Sequence, residues 1–173
     1  MGDVIDQDAD GVPDGAVSHG TQVAGILAAT GDNAFGLAGA AWNISIMPVR
    51  VTGPEGNGFF SSFVSALEYA VANGADIVNM SLEASALPNT VRETVAAAHE
   101  AGVIMVAAAG NSGFGVRFPA SLEEIIAVGA TRGVDEPELR ARFSPISSDV
   151  EFVAPGAEIP TLAIEPITGL PIF

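Results

Sequence analysis

Ser18-His19-Gly20-Thr21-Gln22-Val23-Ala24-Gly25-Ile26-Leu27-Ala28-Ala29 is the stretch from which the fold of this chain is read. Val23, Ile26 and Leu27 fall at helical spacing, and the Ala and Gly residues between them are small enough for close packing. The spacing predicts a helix from about His19 to Ala29, with Gly31 and Asn33 as terminators. An imidazole at the first turn of such a helix, with Gly20 leaving room beside the ring, is well placed for proton transfer. A structural or merely exposed histidine stays the alternative. His99, on a polar helix face before Glu100, is read only that way.

Downstream, Ile44 to Val51 is expected as a strand, with Pro48 imposing an edge position, a bulge or a break. Gly53-Pro54-Glu55-Gly56-Asn57-Gly58 is rich in turn formers. A second helix is expected from Ser61 or Ser62, with Phe63, Leu67, Ala70 and Val71 on one side and Asn73-Gly74 as its stop. Asp76 to Leu82 reads as a short buried strand. Thr90 with Glu93 suggests a capping box for a helix carrying Val91, Val95 and Ala98 and ending near Ala101-Gly102. Further strands follow at Val103–Ala109, Ile125–Ala130 and Glu151–Val153. Helices alternating with apolar strands predict an α/β fold of three layers, a mostly parallel sheet with helices on both faces. In such sheets function gathers at the carboxyl ends of strands. Two polar elements stand there, Asn79 with Ser81 and Gly110-Asn111-Ser112-Gly113.

The 173 residues fit one domain. A net charge of -15, from 21 acidic and 6 basic residues, argues against nucleic acid and anionic membranes as partners. No apolar run reaches a membrane span. The absence of cysteine rules out disulfides and thiol chemistry. The first residues are acidic and polar, unlike a signal peptide. Asp6, Asp8, Asp10 and Asp14 recur with Gly11 and Val12 between the last two, in the spacing of a calcium loop. Val17 stands where that loop needs its bidentate acid. A structural calcium, a solvated acidic loop and a salt-adapted surface all fit.

Asn111 ends a buried strand, where its side-chain NH2 can donate to a developing oxyanion, a contact worth about 3 kcal/mol in the transition state. An Asx turn that reverses the chain fits the same residues. Together with His19-Gly20-Thr21-Gln22-Val23-Ala24-Gly25-Ile26-Leu27-Ala28 and Ala107-Ala108-Ala109-Gly110-Asn111-Ser112-Gly113, three further stretches establish a resemblance. They are Ile46–Val51, Asn73–Leu82, and Phe118-Pro119-Ala120 with Ile126–Ala130. Phe143-Ser144 and Ala154-Pro155-Gly156 follow in order. In these motifs the chain resembles the subtilisin-like serine proteases, over residues 14 to 157.

The resemblance implies a seven-stranded sheet and an aspartate, histidine and serine triad that hydrolyses peptide bonds with no cofactor for the chemistry. It makes His19 the general base and Asn111 the oxyanion donor. It places an extended peptide or protein substrate between edges at Gly58-Phe59-Phe60 and Ser81-Leu82-Glu83, with Ala108-Ala109-Gly110 lining the main specificity pocket. Phe60 would wall a more distant apolar pocket. It also favours a secreted protein.

The chain departs from that pattern in three places. The family's Gly-Thr-Ser-Met-Ala-Ala-Pro nucleophile motif is not in this sequence, and nothing promotes Ser112, Ser144, Ser147 or Ser148 in its stead. Only 18 residues precede His19, and neither Asp3 nor Asp14 matches the family's strand-ending aspartate. Glu83 stands where a glycine is usual; its carboxylate would disfavour acidic substrate side chains and favour basic ones, or it is drift in a chain without activity. The expected organisation is one partial catalytic domain over 1–173, incomplete at both ends, with an acidic loop at 1–17, the family core at 18–157 and an atypical tail at 158–173. Two functions follow: a serine endopeptidase domain that is inactive as the isolated chain, or a non-catalytic domain that keeps the peptide groove for binding or association. Apolar sheet surface left uncovered predicts self-association or replacement packing by the tail from Pro160 to Phe173.

Overall fold

The computed structural model describes residues 19–53, 56–133, 136, 138–164 and 171–172. The elements are α1 (His19–Ala28), α2 (Phe60–Ala72), β1 (Ile77–Met80), α3 (Asn89–Glu100), β2 (Ile104–Ala108), β3 (Ile125–Thr131), β4 (Phe152–Pro155), β5 (Ala163–Ile164) and β6 (Pro171–Ile172). The chain forms two compact units, one of Met1–Ala66 with Pro160–Phe173 and the other of Leu67–Ile159. The fold is α/β, with a parallel sheet and flanking helices.

In the second unit β1 to β4 are all parallel and stand in chain order. The register pairs Met80 with Ala107, Met105 with Ile125 and Ala107 with Ala127, so these side chains share one face. All five are buried, as are Val91, Val95 and Ala98 of α3. The opposite face carries Ile77 beside Ile104 and Val128 beside Phe152, and Ile77, Ile104 and Phe152 are exposed. β1 is therefore buried at Met80 alone, not throughout.

Gly74 and Gly102 follow the ends of α2 and α3 where expected, whereas α1 ends at Ala28, before Gly31. After α2 the Ala75 N–H reaches the Ala70 carbonyl at 3.0 Å, with Gly74 at φ +75°, a left-handed turn that glycine adopts without strain. α3 starts differently from the sequence expectation. Its N-cap is Pro88, without a side-chain cap, and the Pro88 carbonyl accepts the Val91 and Arg92 N–H groups. Thr90 is thus already helical, and the expected Thr90–Glu93 capping box does not form.

In the first unit, the strand expected over Ile44–Val51 builds no ladder among the described residues; the nearest pairing is the isolated bridge of Thr52 with Gly58. Pro48 removes a ladder donor from the middle of that run. Among the described residues the sheet accordingly has four strands, fewer than the seven implied by resemblance, and β5 with β6 forms a separate antiparallel pair.

Candidate functional site

His19 is the first residue of α1 and is exposed. Backbone hydrogen bonds tie down the far end of its helix. The Ile26, Leu27 and Ala29 carbonyls accept the N–H groups of Ala40, Ala41 and Gly39 at 2.9, 2.9 and 2.8 Å. These bonds satisfy acceptors that a helix end leaves open. Gly39 comes so close that a Cβ there would lie 2.5 Å from the Ala29 nitrogen. On another side, the Thr161 hydroxyl donates to the Gln22 carbonyl at 2.6 Å. Leu162 packs on Gly25, where a Cβ would stand 3.0 Å from its Cγ. Residues just before β5 thus pack on the helix that carries His19. Gly58 and Phe60 belong to the same unit. Gly58 closes a tight reversal, with the Gly53 N–H on the Asn57 carbonyl at 2.9 Å, and Phe60 opens α2.

In the second unit, Ser81, Leu82, Glu83, Ala109, Gly110 and Asn111 come together beyond the carboxyl ends of β1 and β2. Three backbone segments close into a frame. Ala109 N–H donates to the Val128 carbonyl and Arg117 N–H to the Ala109 carbonyl, both at 2.9 Å. Ala84 N–H donates to the Phe118 carbonyl, also at 2.9 Å. Across the frame, the Glu83 carboxylate accepts the Asn111 N–H at 2.8 Å. Gly110, at φ +109°, sits in the middle. A Cβ there would lie 2.7 Å from the Glu83 Oε2 and 2.8 Å from the Arg117 Cγ, so both backbone angle and space require glycine.

The turn after Asn111 is built by its neighbour. Ser112 Oγ accepts the Phe114 N–H at 3.2 Å and donates to the Phe114 carbonyl. The loop is tied down by the Gly113 N–H on the Phe143 carbonyl at 2.8 Å. The Asn111 side chain is exposed and makes no hydrogen bond among the described residues. It is thus open to an incoming acceptor.

Three further serines, Ser144, Ser147 and Ser148, make structural hydrogen bonds. Ser144 is buried, and its hydroxyl accepts the Ala130 N–H at 2.8 Å. Ser147 Oγ accepts the Asp149 N–H, and Ser148 Oγ donates to Asp149 Oδ1. Asp3, Asp6, Asp8, Asp10, Val12 and Asp14 lie outside the described residues. Among the described residues no group of three or more His, Cys, Asp or Glu is placed to hold a metal ion, and no helix is long and apolar enough to cross a membrane.

Arg117 was not legible as a site residue in the sequence. It stands one place before Phe118-Pro119, and only the folded frame sets its stem against Gly110. The Glu83 contact with Asn111 joins residues 28 positions apart, which no local pattern encodes.

A profile of the Subtilase family matches residues 3–170. Subtilisin DY of Bacillus licheniformis is 40% identical over 146 residues, which make up 82% of this chain and 52% of that protein. The thermophilic serine proteinase of Bacillus sp. strain AK1 is 42% identical over 168 residues, 96% of this chain and 40% of that protein. Among solved structures, a protease of Pseudoalteromonas arctica PAMC 21717 superposes with a TM-score of 0.74 at 30% identity, covering 84% of this chain and 46% of that one. The chain therefore spans about half the length, or less, of these relatives.

Proposed function

The chain belongs to the subtilase family, and we propose that residues 1–173 carry the base and the oxyanion donor of a serine endopeptidase but do not hydrolyse peptides by themselves. The observation that carries this reading is the exposed Asn111 carboxamide on a loop fixed to the sheet, in a chain whose His19 opens a helix. His19 takes the proton from a serine hydroxyl and returns it to the leaving amine. Asn111 donates to the tetrahedral oxyanion. The family's serine motif is not among residues 1–173, and the serines at 112, 144, 147 and 148 are occupied with structural hydrogen bonds. Without a nucleophile there is no covalent step.

The DNA flanking this reading frame supplies the test. An in-frame Gly-Thr-Ser-Met-Ala downstream is expected, with hydrolysis of casein by the longer product. His19→Ala in that product should cut the rate by about four orders of magnitude or more. Hydrolysis undiminished by His19→Ala overturns the assignment of the base.

One observation favours the second reading, a non-catalytic domain that binds peptides or associates. The exposed Ile77, Ile104 and Phe152 share one apolar sheet face, a surface suited to burial against another molecule. Self-association through it predicts a dimer or larger species by sedimentation; a monomer at all concentrations rules it out. Export from the cell is proposed from the family resemblance. A calcium loop at Asp6–Asp14 predicts a lower Tm in chelator, and an unchanged Tm leaves the acidic stretch as solvated surface.

A further inference from the structure

We propose that the frame at the carboxyl ends of β1 and β2 is a receptor for a cationic side chain, arginine or lysine, of an extended peptide, with the Glu83 carboxylate as its specificity-determining group. The proposal rests on the reading of this region as peptide-binding and adds the chemical class of side chain it selects.

Glu83 is exposed and anchored through one carboxylate oxygen. Its Oε2 accepts the Asn111 N–H at 2.8 Å, above a glycine whose missing Cβ leaves room for it. A carboxylate has about four acceptor sites, and this one hydrogen bond leaves most of them uncommitted. Among the described residues no cation forms an ion pair with the group. Arg132 pairs with Glu136 at 2.8 Å, whereas Arg117 forms no ion pair with Glu83, although its Cβ and Cγ flank Gly110. Arg117 therefore walls the frame with its aliphatic stem and leaves the Glu83 charge available.

The frame itself is rigid. Backbone hydrogen bonds from Ala84 to Phe118, Arg117 to Ala109 and Ala109 to Val128 fix all three segments. A fixed carboxylate on a rigid support loses little conformational freedom on pairing, which favours a guanidinium that can bind it through two N–H groups. An acidic side chain entering the same place meets a like charge. The overall excess of 21 acidic over 6 basic residues adds long-range attraction for a cationic peptide.

The test uses residues 1–173 and three fluorescein-labelled peptides, fluorescein-Ala-Ala-Ala-X with X as Arg, Phe or Glu, read by fluorescence anisotropy at low and physiological salt. The Arg peptide should bind about tenfold more tightly than the Glu peptide at low salt, and less selectively as salt rises. Glu83→Gln keeps an acceptor for the Asn111 N–H and removes the charge, so it should abolish the preference for the Arg over the Glu peptide. Glu83→Lys should reverse the preference towards the Glu peptide. Equal binding of all three peptides overturns this proposal alone, as does an Arg preference that survives Glu83→Gln. Binding of none of them overturns both the proposal and the peptide-binding reading beneath it.

Discussion

The two candidate chemical groups rest on different kinds of support. Asn111 leaves a sheet whose core is closed by Val91, Val95, Met105, Ile125 and Ala127, each at most 1% exposed. His19 opens a helix in which Gly25 is the one buried residue, and of the buried apolar side chains among the described residues only Phe63 shares its unit. One support is made by apolar burial. The other is made by backbone contacts from Gly39–Ala41 and by Thr161 and Leu162 from a distant part of the chain. The two proposed roles, oxyanion donor and general base, thus fall on supports that should differ in their tolerance to mutation.

The largest contrast should appear on truncating isoleucines. Ile125→Ala removes a side chain 1% exposed and should destabilise the second unit by about 3 kcal/mol. Ile26→Ala in α1, where the residue is 41% exposed, should cost less than about 1 kcal/mol. Similar losses in chemical denaturation would break the comparison.

Glycine substitutions sharpen it. Gly39→Ala sets a Cβ against the backbone nitrogens of Ala28 and Ala29, which cannot move without unwinding the end of α1. Gly110→Ala meets side-chain atoms instead, Glu83 Oε2 and the Arg117 stem, and must also hold φ near +109°. Each should cost about 2 kcal/mol. Amide exchange separates them: faster exchange in Ala40 and Ala41 for the first variant, and in Asn111 and Arg117 for the second. A smaller effect than that of either glycine variant is expected from Thr161→Val, which removes the donor to the Gln22 carbonyl. It should cost about 1 kcal/mol and raise exchange in α1 while sparing β3; an even rise in both would deny that residues 161–162 brace this helix in particular.

Much of this fold was legible in the residues. Continuous apolar runs located β1 to β4, and Gly74 and Gly102 marked helix ends through their positive φ. The errors have physical causes. Thr90 and Glu93 have capping-box spacing, but Pro88 presets the entry angle and starts α3 two residues too early for the box. Ile44–Val51 has strand composition, yet composition does not supply a ladder partner. The short polar motif at Gly110-Asn111-Ser112-Gly113 pointed to a site, but left an Asx turn equally open for Asn111; Ser112 makes the turn contacts. Arg117 and the reach of Glu83 to Asn111 depend on three segments meeting in space. They could be read only from the folded frame.

The central claim, that residues 1–173 hold a base without its nucleophile, is tested most directly by a fluorophosphonate serine probe with mass mapping of the labelled site. The prediction is a folded protein with no labelled serine. A labelled serine within 1–173, with labelling lost in His19→Ala, would contradict it.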